Sequence, residues 1–312
     1  MHVLVVVPTP ADFDERVKTI AADVEILHVT PGEDGYDEAL TQSSVILGRP
    51  PVGDVPRATE LRWLQLSSAG ANNYVGKISS EITLTTASGV YGIPASEHAL
   101  AMMLALTRSI HKSARDQVDR CWDPSGEYRE LHGTTCGLLG LGDIGLAVAQ
   151  RARAFGMRVL AARRNPDSTP DAVDEVFAVN QLDEMLGQCD HVVSTLPETA
   201  FTRKLLDEKR LWAMKKGSFL YNIGRGTTVD QDALVEMLVT GHLAGAGLDV
   251  FEEEPLPKES PLWGMSNVII TPHAGGSSPH EDERVAAVFL ENLRRFARGE
   301  PLKNVVDHDV GY

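Results

Sequence analysis

Three short segments of this sequence carry side chains that could act together on a small anionic carbonyl compound: Asn222-Ile-Gly-Arg-Gly226, Leu248-Asp-Val-Phe-Glu-Glu-Glu-Pro-Leu-Pro257 and Thr271-Pro-His-Ala-Gly-Gly276. They supply Arg225, Glu254 and His273. Reducing a 2-oxo acid requires a fixed cation for the carboxylate and carbonyl and a proton donor for the developing alkoxide. It also requires a carboxylate that keeps the donor protonated near neutral pH. Arginine, histidine and glutamate meet those needs. Taken singly, each residue has a plainer explanation: a turn arginine, one of three solvated acids before a proline, a loop histidine. Taken together, at the ends of successive predicted strands, they form a candidate catalytic set, because open α/β sheets place their ligands at that edge.

A second constellation lies upstream. In Cys136-Gly-Leu-Leu-Gly-Leu-Gly-Asp-Ile-Gly145, the residues Gly140, Gly142 and Gly145 form a GxGxxG pattern. It follows an apolar run and precedes Leu146 to Phe155, a segment rich in alanine and arginine that should be helical. Such a loop turns tightly at the first glycine, lets the backbone touch a pyrophosphate at the second and packs helix on strand at the third. The helix N-terminus then faces the anion. In an NAD site the next strand ends in an acid that holds the ribose 2′-hydroxyl. Here the strand Arg158 to Ala162 runs into Arg163-Arg164-Asn165, with no acid. A guanidinium pair suits the 2′-phosphate of NADP, since the planar fork bonds phosphate oxygens bidentately. The expected cofactor is NADP(H), with NAD(H) second.

These groups need a scaffold, and the chain spells one out. Apolar runs at Val3 to Val7, Val24 to Val29, Ser44 to Leu47, Arg62 to Leu66 and Ile82 to Thr85 alternate with helix-compatible stretches, the rhythm of a parallel sheet flanked by helices. A strongly apolar helix from about Ala95 reads as interior. A second set of strands follows at Thr135 to Leu139, Arg158 to Ala162, His191 to Thr195, Ser218 to Asn222, Ala244 to Leu248 and Val268 to Thr271. An amphipathic helix from Glu281 to Arg298, through Val285, Val288, Phe289, Leu293 and Phe296, closes the pattern at Gly299. The segment Asp119 to Gly133, with Trp122, Pro124 and Gly126, is the clearest irregular insertion.

The 312 residues make two domains the natural expectation. Because the glycine loop begins only after some 135 residues, a complete α/β domain must precede the cofactor domain. The expected fold is α/β, with two doubly wound parallel-sheet domains: a flavodoxin-like substrate domain (1–97 plus 281–312) and a Rossmann cofactor domain (98–280), with an interdomain cleft hinged near Ala95 and His280. Forty-four acidic against 29 basic side chains give a net charge of -15, which makes nucleic acid a poor partner. The opening MHVLVVVPTP reads as a strand and not a signal peptide, and no stretch approaches the ~20 apolar residues of a membrane span. Three cysteines without CxxC spacing argue against a disulfide framework or a metal site. A cytoplasmic protein with no membrane partner is expected.

The sequence resembles the D-isomer-specific 2-hydroxyacid dehydrogenases along essentially its whole length. The motifs that carry the resemblance are Ser67-Ser-Ala-Gly-Ala-Asn72, Ala95-Ser-Glu-His-Ala-Leu100, the glycine loop, Ser194-Thr-Leu-Pro197, Asn222 to Gly226, Asp249 to Pro255, Thr271 to Gly276 and Gly299-Glu-Pro-Leu-Lys-Asn304. The resemblance implies that Arg225 binds the substrate carboxylate and carbonyl, that His273 is the acid/base and that Glu254 pairs with it. It further implies that Ser68 and the backbone at Ala69 and Gly70 hold the substrate, with Tyr91 shaping the pocket. The cofactor would meet Gly140, Leu141, Gly142, Asp143, Ile144, Gly145, Arg163, Arg164, Leu196, Pro197, Thr202, Ile223, Gly224, His273 and Gly275, and Asp249 would meet its carboxamide. The departure at Arg163 is similar to the NADP-preferring branch, with its glyoxylate and hydroxypyruvate reductases. The implied reaction is therefore hydride transfer from NADPH to a small 2-oxo acid, giving the D-2-hydroxy acid. The segment Arg115 to Thr135 resembles a dimerisation arm, so a homodimer is expected. Two rival readings remain: a dinucleotide-sensing, corepressor-like binding protein, and a formate dehydrogenase-like enzyme. Glu254 speaks against the second, which calls for glutamine there.

Overall fold

The alternating apolar runs become short parallel strands in a computed structural model that describes every residue except Asp167, Asp309 and Tyr312. The chain divides into two units, Met1–Tyr91 with Ser278–Tyr312, and Gly92–Ser277. The first unit begins with β1 (His2–Val5), α1 (Phe13–Ile20), β2 (Glu25–His28), α2 (Tyr36–Gln42), β3 (Val45–Leu47), β4 (Trp63–Gln65) and β5 (Thr83–Thr85). Its strands are all parallel in the order β2-β1-β3-β4-β5, the flavodoxin-like winding.

The second unit opens with α3 (Gly92–Thr107) and α4 (Ile110–Val118), then β6 (Thr135–Leu139), α5 (Asp143–Ala154), β7 (Arg158–Arg163) and β8 (Glu175–Ala178). It continues through α6 (Leu182–Leu186), β9 (His191–Ser194), α7 (Glu208–Ala213), β10 (Phe219–Asn222), α8 (Gln231–Val239), β11 (Gly245–Leu248) and β12 (Val268–Ile270). The boundary expected at 97/98 would have cut through α3; the units instead divide where that helix begins, so it stays whole.

The second sheet runs β12-β11-β10-β9-β6-β7-β8, all parallel. From β8 inward this is the dinucleotide-binding winding with β12 added at one edge, and its order reverses between β6 and β9. Alternate residues of each strand enter opposite cores, as the two-residue strand period requires. Val159 and Ala161 join Met103 of α3 and Val148 of α5 on one face. Leu160 and Ala162 join Leu186 of α6 and Met237 of α8 on the other. The edge strand β8 had no counterpart among the expected strands.

Residues 119–134 form the irregular insertion, with the Trp122 side chain 96% exposed. The last helix, α9 (Glu281–Ala297), belongs to the first unit. Its Phe289 is fully buried and stacks on Trp63, ring centroids 5.1 Å apart. An apolar face at helical spacing thus finds the sheet it was patterned for.

Candidate active site

The three glycines of the loop have three different surroundings in the second unit. Gly140 ends β6 in a left-handed turn (φ 91°), and a Cβ there would lie 3.0 Å from Thr195 Oγ1. At Gly145 a Cβ would come within 2.3 Å of Gly140 O, so the helix α5 can lie on the turn only without a side chain. Gly142 is the N-cap of α5, and a Cβ there would meet nothing within 4 Å. Open space therefore borders a helix start whose first N–H groups have no intrahelical partner, a fit for a pyrophosphate. The neighbouring Leu141 and Ile144 are partly buried. Asp143 turns toward α3, its carboxylate oxygens 2.6 and 2.7 Å from where a Gly92 Cβ would be.

Gly140 N–H donates to Ala162 O at 3.1 Å, which sets Arg163, the last residue of β7, directly beside the glycine turn. Arg163 is half-buried and Arg164 exposed. On the other side of β6, Thr195 Oγ1 donates to Leu139 O and Gly140 O (3.2 and 3.3 Å), which fastens the Leu196-Pro197 segment to the same turn. Thr202 Oγ1 then donates to Pro197 O at 2.6 Å.

The arginine loop is shaped by Asn222, whose Nδ2 donates to Arg225 O (3.0 Å) while its Oδ1 accepts from Gly224 N–H (3.2 Å). Ile223 beside it is buried. Thr228 Oγ1 donates to the same Arg225 carbonyl at 2.7 Å. A Cβ on Gly224 would strike Leu196 O at 2.6 Å, and one on Gly226 would strike the Phe251 carbonyl carbon at 1.9 Å. Backbone therefore lies directly on backbone between these loops. Arg225 Nη1 donates to Gly224 O at 2.7 Å. Burial lowers its pKa, opposed by the charges of Glu254 and then Glu198, yet an arginine remains a cation throughout.

His273 Nδ1 lies 2.7 Å from Glu254 Oε2. A carboxylate can only accept, so Nδ1 carries the proton, and Nε2 is the nitrogen that Glu254 does not engage. Glu254 is itself held, accepting Phe251 N–H on Oε1 at 3.0 Å, and its bond to Pro255 is cis. His273 is unusual for a non-glycine residue in standing at φ 52°. Asp249, almost fully buried, holds the backbone there: its carbonyl accepts His273 N–H (2.8 Å) and its carboxylate accepts Ala274 and Gly275 N–H (2.9 Å each). Arg225, Glu254 and His273 all rise from loops after β10, β11 and β12, so one sheet edge carries the expected set.

In the first unit, Ser68 Oγ donates to Gly70 O at 2.8 Å and Ser68 O accepts Ala87 N–H at 2.9 Å, which shapes the loop through Ala69. The Tyr91 hydroxyl lies against Ser67 O and 2.9 Å from Glu281 Oε1. Burial, then the Glu281 charge, raises its pKa, so it stays a proton donor fixed to that loop. Sequence reasoning missed Asn222 and Thr271 as shaping residues and His98 as a neighbour of the site: His98 Nε2 sits 2.9 Å from Thr271 Oγ1. Their only sequence signal is membership of the motifs themselves. Among the described residues no cluster of three or more potential metal ligands is found. No described helix is long and apolar enough to cross a membrane.

Residues 100–275 match the model of the D-isomer specific 2-hydroxyacid dehydrogenase NAD binding domain. A glyoxylate reductase of Korarchaeum cryptofilum is 35% identical over 263 residues, 81% of this chain and 78% of that protein. A glyoxylate/hydroxypyruvate reductase B of Pectobacterium carotovorum is 40% identical over 217 residues, 68% and 67% of the two chains. Among solved structures, a D-isomer specific 2-hydroxyacid dehydrogenase of Xanthobacter autotrophicus, in complex with NADPH and MES, superposes with a TM-score of 0.84. It is 30% identical and covers 100% of this chain and 99% of that one. With the winding of both sheets, the glycine loop and the paired histidine in place, the chain belongs to the D-isomer specific 2-hydroxyacid dehydrogenase family, and it is an oxidoreductase of that family.

Proposed function

We propose that this chain reduces a small 2-oxo acid of the glyoxylate or hydroxypyruvate kind to the D-2-hydroxy acid, with NADPH as the preferred reductant. The observation that carries the reading is the His273–Glu254 pair at 2.7 Å, with Nε2 uncommitted, on the sheet edge that also presents Arg225. A nicotinamide cofactor held by the glycine loop would supply the hydride that the carbonyl carbon takes up. In its doubly protonated form His273 delivers the Nε2 proton to the oxygen and keeps the Nδ1 proton on Glu254, so one hydride and one proton complete the alcohol and the ring is left neutral. Arg225 holds the carboxylate and the developing alkoxide, and its half-buried position strengthens that attraction. Holding the acceptor in line accounts for several kcal/mol of barrier lowering.

The names of the reductase relatives support the substrate class. The Arg163-Arg164 pair at the end of β7, with no acid there, supports the 2′-phosphate of NADP. The test is a panel of glyoxylate, hydroxypyruvate, pyruvate and bulkier 2-oxo acids assayed with NADPH and with NADH. Turnover of the small acids with NADPH favoured is expected. A preference for NADH of about tenfold, about 1.4 kcal/mol, would sink the arginine reading, and tight binding without turnover would sink the enzymatic one.

A homodimer formed through residues 115–135 belongs to the same proposal. Trp122 and Val118, 96% and 82% exposed, are apolar side chains that a partner would cover. Light scattering is expected to give twice the 33.9 kDa chain mass, and a monomer at micromolar concentration would contradict it.

A further inference from the structure

Helix α3 is apolar along most of its length, yet it carries one imidazole directly against the loop of the acid/base histidine. His98 Nε2 lies 2.9 Å from Thr271 Oγ1 and 3.6 Å from Asp249 Oδ1. Its Cδ2 lies 3.2 Å from where a Cβ on Gly275 would stand, so only a glycine leaves the ring room there.

The hydrogen-bond directions are set by the acceptors. Thr271 has one hydroxyl proton, and it goes to Asp249 Oδ1 at 2.6 Å, because an ionised carboxylate only accepts. The Thr271 oxygen must therefore accept from His98, whose Nε2 carries the proton. Asp249 Oδ1 then receives Thr271 Oγ1–H and Ala274 N–H, while Oδ2 receives Gly275 N–H. The Asp249 carbonyl receives His273 N–H. A relay runs from His98 through Thr271 to the one residue that grips three successive amides around the left-handed His273. That backbone, at φ 52°, is strained for a residue with a side chain and persists only where its surroundings over-determine it. The hydroxyl at the middle of the relay is held from both sides, by His98 at 2.9 Å and by Asp249 at 2.6 Å.

We infer that His98 is a positioning residue for the reaction: through Thr271 and Asp249 it holds the His273 turn in the geometry that aims Nε2. This rests on the reading of His273 as the proton donor, and it adds a group that touches neither substrate nor reacting atoms.

The test uses His98→Ala and His98→Gln, since the glutamine amide can place an N–H donor where Nε2 stood. In His98→Ala, kcat should fall about tenfold or more while KM for the 2-oxo acid stays within about threefold, because the Arg225 loop is untouched and small misplacements of a reacting group cost rate. His98→Gln should recover most of the loss. Deuterium uptake of the peptide spanning 271–277 should rise in His98→Ala and return toward wild type in His98→Gln. A kcat within about twofold of wild type in folded His98→Ala, unchanged uptake, or a glutamine variant as impaired as alanine would overturn the inference. If His98→Ala does not fold, Thr271→Val, which keeps the shape and removes the hydroxyl, should show the same fall and the same uptake. Wild-type behaviour of Thr271→Val would overturn it equally. Were the wild type to turn over no 2-oxo acid, the proposed function would fail on that result, while the exchange data would still decide the relay.

Discussion

Two histidines lie at opposite ends of the same seven-stranded sheet, and their surroundings are opposite. His273, after β12 at the carboxyl edge, is about half exposed, with one nitrogen on Glu254 and the other open. His191, the first residue of β9 at the amino edge, is 2% exposed and stacks face to face on Phe219 with centroids 5.3 Å apart. Its Nδ1 lies 3.2 Å from the hydroxyl of fully buried Tyr221. Burial pushes its pKa down to about 4, only partly opposed by Asp190, so it is a neutral ring at physiological pH. The residue type does not decide the role. At the carboxyl edge the strands run out into loops that expose polar groups and leave room for ligands; at the amino edge they start inside a packed core.

The comparison can be broken most forcefully at His273. His273→Ala should lower kcat by about 10³-fold while dinucleotide affinity, read by fluorescence titration, stays near wild type. Full activity would remove the acid/base assignment. A smaller loss is expected from Glu254→Gln, which keeps the shape and the Phe251 contact but removes the charge opposite Nδ1. A fall in kcat of about 10- to 100-fold is the expected result, and an unchanged kcat would show that His273 needs no carboxylate.

The smallest effect on rate belongs to His191. His191→Asn, which places an amide near Nδ1, should leave kcat unchanged and alter the pH dependence of stability instead. The folded pKa of about 4 lies below the ordinary 6.5, so the unfolded chain binds the proton first as pH falls. Stability is therefore full above pH 6.5, declines toward pH 4 and levels below it, a loss of about 3 kcal/mol at most from this group. Thermal melts of the asparagine variant should decline less steeply across that window. A parallel decline in variant and wild type would show that His191 is not a source of acid lability.

Much of this was legible in the sequence, because the signals are local. The apolar run of β6, the glycines and the helix that follows lie within a few residues of one another, and parallel strands buried on both faces read as continuous apolar stretches. The strand β8 escaped because Glu-Val-Phe-Ala at a sheet edge buries only Phe177 and offers no such run. His98 escaped for the opposite reason. It sits in a helix whose pattern says core, and its partner Thr271 is 173 positions away, so only the fold brings them together. The left-handed backbone at His273 likewise has no sequence signature, since it is imposed by Asp249 from another loop.

The contacts at Gly224 and Gly226 have a consequence for how this enzyme could change. There the loops carrying Arg225 and Glu254 are registered main chain to main chain, against Leu196 and Phe251, with no side chain between them. The spacing of these two loops is thus a property of the chain's path and does not depend on side chains at their points of contact. Substitutions at exposed or half-buried positions can leave the two loops in register, whereas a single methyl group at Gly226 would force them apart.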